Sequence, residues 1–297
     1  MLHLLLVSLV WAFSFGLIKG HLTALDPATV AFARLFLAAA VFVPLVRGGA
    51  WRGRFGLRLA GIGAVQFGLM YVFYTVSFQH LAAHEVALFT ITTPFLVSLV
   101  DDLAEGRWRP WYLVPAGLAV AGAAVVVYRQ VDTPAWLWGF VLVQLSNLCF
   151  AAGQVFYRRI MAGPAAVGLR DQDVFGVLYA GAAAAAAVPA LAATAAAGLP
   201  HLTAREGMAL LYLGLLASGV CFFLWNVGAR RVNTGTLAAF NNLKIPLAVA
   251  ASLLVFGEHT HVPRLLAGGA LMAAAVALNE WRQRARPRGT AAPTTAA

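Results

Sequence analysis

The 297-residue chain is 61% hydrophobic and only 11% charged, with a mean hydropathy of +0.80. A soluble domain needs about a quarter of its residues charged to solvate its surface, so a soluble enzyme or binding module is excluded and most of the outer surface must meet lipid. The formal net charge of +10 does not imply nucleic acid, because the basic residues fall between apolar runs, as cytoplasmic loops do under the positive-inside rule.

Ten apolar runs follow one another, at about 2–20, 27–46, 57–79, 84–102, 110–128, 136–157, 174–197, 207–229, 235–256 and 263–280. They predict an all-α integral membrane protein of ten transmembrane helices. The first run begins at Leu2 with neither a basic leader nor a cleavage site and reads as a retained helix. Turn and charge signals punctuate the runs, among them Asp26-Pro27, Glu105-Gly106-Arg107, Asp132-Thr-Pro134, Gly163-Pro164 and Gly257-Glu258. Cys149 and Cys221 both lie inside runs, which argues against a disulfide framework. Residues 282–297, basic and then rich in Ala, Thr and Pro, read as a disordered cytoplasmic tail.

With the amino terminus in the cytoplasm and ten alternating spans, fifteen Lys and Arg fall in cytoplasmic segments and four (Lys19, Arg129, Arg205 and Arg264) in outer ones; Arg34 and Lys244 stay within spans. That bias places both termini inside, in a bacterial-type inner membrane. His80, His84, His259 and His261 then lie on the outer side.

The two halves repeat at an offset of about 151 residues. Phe67-Gly68-Leu69 answers Ser218-Gly219-Val220, Thr93-Pro94 answers Ile245-Pro246, and Glu105 answers Glu258. The expected organisation is a first repeat over 1–130 and a second over 131–281. Five helices per unit is odd, so the copies enter the membrane from opposite sides, an inverted pair characteristic of secondary transporters with a site near mid-depth.

The strongest site signal is Phe240-Asn-Asn-Leu-Lys-Ile-Pro246 in the ninth run. A charge at mid-span costs about 2.5 kcal/mol or more and marks a substrate or ion path. Lys244, with Asn241 one turn earlier and Asn242 beside it, is therefore a candidate counter-charge for a substrate carboxylate or phosphate; internal pairing or snorkelling is the alternative. Pro246 removes the usual donor to the carbonyl of Asn242, and Pro94 does the same to Thr90, so both prolines are expected kinks. Thr90 and Thr93 form the symmetry-related polar wall. Trp11, Ser14, Phe15, Tyr71, Tyr74, Asn147, Gln154 and Trp225 complete the candidate binding residues, aromatics shaping a cavity and amides orienting a polar end. Arg34 is expected to pair with loop carboxylates or snorkel, and Glu105 and Glu258 to cap helix corners.

Several of these motifs resemble a known family. Trp11-Ala-Phe-Ser-Phe-Gly-Leu-Ile-Lys19, Pro27 with Arg34, Thr93-Pro94 through Glu105, and Ile245-Pro246 through Glu258 together resemble EamA-type members of the drug/metabolite transporter superfamily. Asp101-Asp102 and Lys244 depart from the family pattern. The resemblance implies a ten-helix exporter or exchanger of small metabolites, with a cavity lined by helices one, three, four, six, eight and nine. It also implies that a basic residue on a late helix holds an anion, as in related phosphate-sugar exchangers.

The chain carries no Gly-rich phosphate loop, zinc-protease motif or nucleophile elbow. The expectation is therefore a transporter, not an enzyme, with no cofactor and no bound metal, favouring amino acids or other carboxylates by alternating access. An exporter of cationic drugs and a membrane-embedded enzyme are the alternatives. The expected partners are the lipid bilayer and a small-molecule substrate, not nucleic acid, with a homodimer left open.

Overall fold

The computed structural model describes residues 2–47, 49–108, 110–126, 135–232 and 234–284. The described residues form ten helical segments: α1 Leu2–His21, α2 Pro27–Leu45, α3 Gly53–Ser77, α4 Ala83–Ala104, α5 Leu113–Val126, α6 Ala135–Met161, α7 Asp171–Ala197, α8 Ala204–Arg231, α9 Thr234–Leu254 and α10 Val262–Arg284. Eight are long and apolar enough to cross a bilayer core; α5 and the Phe240–Leu254 part of α9 are shorter apolar helices. Helix α10 runs through Arg284, past the expected start of the tail at 282. Arg109, Arg129, the repeat junction at 130–131, Asn233 and the tail beyond 284 lie outside the described residues.

Local chemistry sets the helix starts. Asp26 caps α2 by accepting from the Thr29 amide at 2.8 Å, and Pro27 supplies a first residue that needs no donor. Thr203 and Glu206 form a reciprocal capping box at α8. Gly198 closes α7 at φ +81°, a conformation that a residue with a Cβ resists.

The principal contacts are symmetric under exchange of α1–α5 with α6–α10. Helix α2 packs on its own counterpart α7, and α5 on α10. The α1–α9 contact maps onto α6–α4, α3–α7 onto α8–α2, and α1–α8 onto α6–α3. The fold is therefore two inverted five-helix halves, with α5 and α10 forming a peripheral pair. Both halves also widen the same helix: α3 turns through a π-helical segment over Ala64–Leu69 and α8 over Tyr212–Val220. Such bulges recur at functional sites, because they free backbone carbonyls for other donors. In α8 those donors are side chains: Trp11 Nε1 reaches the Ala217 carbonyl at 3.0 Å, and the Tyr179 hydroxyl reaches those of Ser218 and Gly219.

Small residues let the backbones meet, as expected where lipid supplies no hydrophobic drive between helices. A Cβ on Gly63 of α3 would lie 1.9 Å from the carbonyl oxygen of Leu178 in α7. Gly63→Ala should therefore separate these helices and destabilise the protein by about 1–3 kcal/mol, as overpacking does. Gly61→Ala, which meets nothing within 4 Å, should be silent; melting of the two purified variants checks this.

Candidate functional site

A cavity of about 70 Å³ sits where the two halves meet, walled by Trp11, Ser14, Phe15, Arg34, Met70, Tyr71, Tyr74, Thr90, Thr93, Ser146, Asn147, Phe150, Phe222 and Lys244. These come from α1, α2, α3 and α4 of the first half and α6, α8 and α9 of the second. Nine expected binding residues are therefore brought together: Lys244, Thr90, Thr93, Trp11, Ser14, Phe15, Tyr71, Tyr74 and Asn147. Asn241, Gln154 and Trp225 line a smaller adjoining space with Thr93, Pro94 and Phe150. Asn242 lines neither; its amide oxygen accepts from Asn241 Nδ2 at 3.3 Å.

Lys244 is buried. Its ammonium donates to Asn241 Oδ1 at 3.1 Å and lies 5.1 Å from the centre of the Trp11 ring, a cation–π contact. Trp11 is fixed in turn by its bond to Ala217 and by the rings of Phe222 and Trp225 at 4.7 and 5.2 Å. Trp225 Nε1 donates to Gln154 Oε1 at 2.9 Å, which ties α8 to α6 beside the cavity.

The first-half wall is a broken helix. Over Thr90–Thr92, α4 tightens to a 3₁₀ turn just before Pro94. Pro94 deprives the Thr90 carbonyl of its helical donor, and the Thr93 amide and its hydroxyl, at 2.7 Å, replace it. The Phe89 carbonyl accepts instead from Asn147 Nδ2 at 3.0 Å and Gln144 Nε2 at 3.2 Å, both on α6. The counterpart differs: α9 stays helical through Pro246, whose side chain is exposed.

Arg34 overturns its sequence reading. It neither snorkels nor meets a loop carboxylate, being 1% exposed. Its Nε donates to Ser218 Oγ at 3.1 Å and its Nη2 to the Tyr71 hydroxyl at 2.9 Å. Helix α2 packs against α3 and α8, and this inward face carries Arg34 to the cavity wall. Ser146, Phe150 and Met70 are further lining residues that the sequence reading did not assign to binding; Ser146 lies one position from Asn147, which was the available signal. Among the described residues no carboxylate pairs with Arg34 or Lys244, and none lines the cavity.

The two ends of the protein differ. At the end bearing His80 and His84, Glu258 does more than cap its own corner. It crosses from the α9–α10 loop to the start of α4, accepting from the amides of Ala83 at 2.8 Å and His84 at 3.2 Å, with His84 Nδ1 at 2.6 Å. Ser252 donates to the same carboxylate. Phe256 presses into α1, where a Cβ on Gly16 would lie 2.1 Å from its ring. Lys19 of α1 donates to the Phe78 carbonyl at 2.7 Å. At the arginine-rich end Glu105 pairs with Arg107 and Arg159, and two wider clefts open. One of about 800 Å³ runs between α3 and α6 past Arg54, Arg58 and Arg159, and one of about 570 Å³ lies beside Asp101, Glu105, Arg158 and Arg230.

Among the described residues, ten apolar helices in two inverted halves around a cavity walled by aromatic and polar side chains define a multi-pass membrane transporter. A family model described as the EamA-like transporter family matches residues 1–129. A probable biotin transporter of Pseudomonas aeruginosa is 40% identical over 289 residues, covering 96% of this chain and 99% of its own. The biotin transporters of Escherichia coli K12 and Salmonella typhimurium are each 34% identical over 279 residues, covering 92% of this chain and 90% of theirs. A crystal structure with 19% identity aligns over 95% of this chain and 97% of its own with a TM-score of 0.64, a likeness of fold. The chain belongs to the EamA-like transporter family and is a transporter of small molecules, not an enzyme.

Burial pushes the Glu258 carboxyl up, but the bonds from His84, Ser252 and the Ala83 and His84 amides outweigh it and hold its pKa at about 2, below its ordinary 4.5. A depressed carboxylate stabilises the folded state fully above its unfolded pKa and loses that stabilisation as pH falls through the folded one. Closure of this end should therefore weaken between about pH 4.5 and 2. Glu258→Gln should lower stability by about 1.5–3 kcal/mol at neutral pH, the worth of bonds to a charged group. It should also flatten the dependence of the melting temperature on pH in that window, which thermal denaturation across pH 2–6 would read.

Proposed function

We propose that this protein carries a small monocarboxylate across the bacterial inner membrane by alternating access, with biotin the substrate. The observation that carries the reading is the buried Lys244 ammonium, which lines a cavity shared by both halves and has no carboxylate partner among the described residues. A mid-membrane charge held by an amide and an aromatic ring is incompletely satisfied, and a substrate carboxylate supplies what is missing.

The lining narrows the class further. An amino acid brings an ammonium beside its carboxylate, and the cavity offers two basic groups and, among the described residues, no acid to receive it. The same argument disfavours a cationic drug. Biotin has one carboxylate, an apolar ring and chain, and a neutral ureido group that both donates and accepts hydrogen bonds. Lys244 and Asn241 suit the first, Trp11, Phe15, Phe150 and Phe222 the second, and Asn147, Thr90, Thr93 and Ser14 the third. The relatives named as biotin transporters support this choice over other carboxylates.

Alternating access follows from the unequal ends. The positive-inside bias makes the arginine-rich end cytoplasmic, with both termini inside. The Glu258–α4 contact and the Phe256 plug then close the outer side, and the clefts beside Arg159 face the cytoplasm. The inverted repeat supplies the opposite state, in which the first half adopts the arrangement of the second. A cavity of about 70 Å³ is below the ~300 Å³ of an ordinary ligand pocket, so it widens to load.

The test is counterflow of radiolabelled biotin in proteoliposomes. Wild-type protein should exchange biotin, with amino acids and cationic dyes failing to compete. Lys244→Gln, which stays polar but is one bond shorter and uncharged, should lower biotin exchange by roughly tenfold or more while melting like the wild type. Exchange of amino acids but not biotin would overturn the substrate assignment, and undiminished exchange by Lys244→Gln would overturn the site.

A further inference from the structure

Arg34 is the most deeply buried cation in the protein's cavity wall, and the role of Lys244 leaves it unexplained. Its Nε and Nη2 are bound to the neutral hydroxyls of Ser218 and Tyr71, and its guanidinium carbon lies 4.2 Å from the centre of the Tyr71 ring. The remaining nitrogen, Nη1, is buried and has no hydrogen-bond partner. A guanidinium stays protonated in any protein setting and presents its donors as a rigid fork matched to a carboxylate. A buried donor left unmade is costly, and a buried charge more so. The fork is held by both halves, since α2 and α3 carry Arg34 and Tyr71 and α8 carries Ser218. A side chain positioned so firmly, with one buried donor unmet, on the wall of a cavity that no acid among the described residues lines, is suited to receive an anion.

We propose that Arg34 reads the charge of the substrate: its free Nη1 receives one carboxylate oxygen, and Lys244 contacts the same anionic group from the second half. The proposal rests on the carboxylate reading above and sharpens it by assigning selectivity for the ionised acid to α2. The anion would then bridge a group of the first half and a group of the second, so that the load itself joins the parts that move.

The test compares biotin with biotinamide, a neutral compound of the same shape, as competitors of labelled biotin in counterflow and as ligands that raise the melting temperature of the purified full chain. Wild-type protein should favour the acid over the amide by roughly tenfold or more, as expected for charge-assisted hydrogen bonds. Arg34→Gln should bring the two within about threefold, and Arg34→Lys, which keeps charge but loses the fork, should fall between. Ligand-free melting of each variant reports folding separately. Equal weakening of acid and amide, or an unchanged ratio in Arg34→Gln, would assign Arg34 a structural role and overturn the proposal. Wild-type protein that takes neither compound sinks the carboxylate reading and this proposal with it, whereas a wild-type preference for the acid that Arg34→Gln retains sinks this proposal alone.

Discussion

Two basic side chains in a low-dielectric interior, with no acid among the described residues to meet them, set the terms for everything around them. Arg34 and Lys244 are held by hydroxyls, an amide and aromatic faces, partners that orient a charge without neutralising it. Keeping these partners in place requires exact helix registers. The π-helical segment of α8 is part of that arrangement: it carries Ser218 to Arg34 and offers the Ala217 carbonyl to Trp11, which in turn supports Lys244. The 3₁₀ break of α4 adds threonine hydroxyls to the same space, and its disturbed carbonyls are met by side chains from α6 and from the break itself. The irregular backbone sits where it borders a cavity, the one place at mid-membrane depth where a broken helix is tolerated.

The symmetry of the repeat makes its breaches informative. The main helix contacts exchange between halves, yet the paired acids do different things. Glu258 reaches across to the start of the other half's α4, while Glu105 is held by Arg107 and Arg159. Pro94 follows a tightened turn; Pro246 sits in unbroken helix. Two copies of one fold in unlike conformations are what an alternating-access protein displays when caught facing one way, and the proposed cycle consists of exchanging those conformations.

Much of this was legible in the chain itself. Run length and hydropathy carry the helix count, and the duplicated proline and acid positions carry the inverted halves, because lipid imposes length and polarity on every span. Lys244 and its cluster were legible because a mid-span charge has few explanations. Arg34 was not: it lies seven residues after Pro27, where a long side chain could still reach an interface, and its partners Tyr71 and Ser218 are remote in sequence. Glu258 looked like a corner cap for the same reason, since its acceptor bonds lie some 175 positions away. Asn242 shows the converse limit. Sequence adjacency placed it with Lys244, but the helical turn of about 100° per residue directs consecutive side chains to different faces, and only Asn241 meets the ammonium.

On the proposed reading, the same uncompensated charge governs the transport cycle. Switching faces requires a moment when the cavity is shut from water at both ends. With no anion inside, that state encloses two basic groups whose partners among the described residues are neutral, and desolvation makes it expensive. With a carboxylate between Arg34 and Lys244 the enclosed charge is partly met and the barrier falls. The contacts closing the Glu258 end are few enough to break: a handful of bonds to one carboxylate and one aromatic ring seated on Gly16. A gate of that strength yields when the cavity behind it is electrostatically satisfied and stays shut when it is not. Occupancy rather than an external energy source then decides when the halves exchange, and a loaded protein returns faster than an empty one, the behaviour of an exchanger.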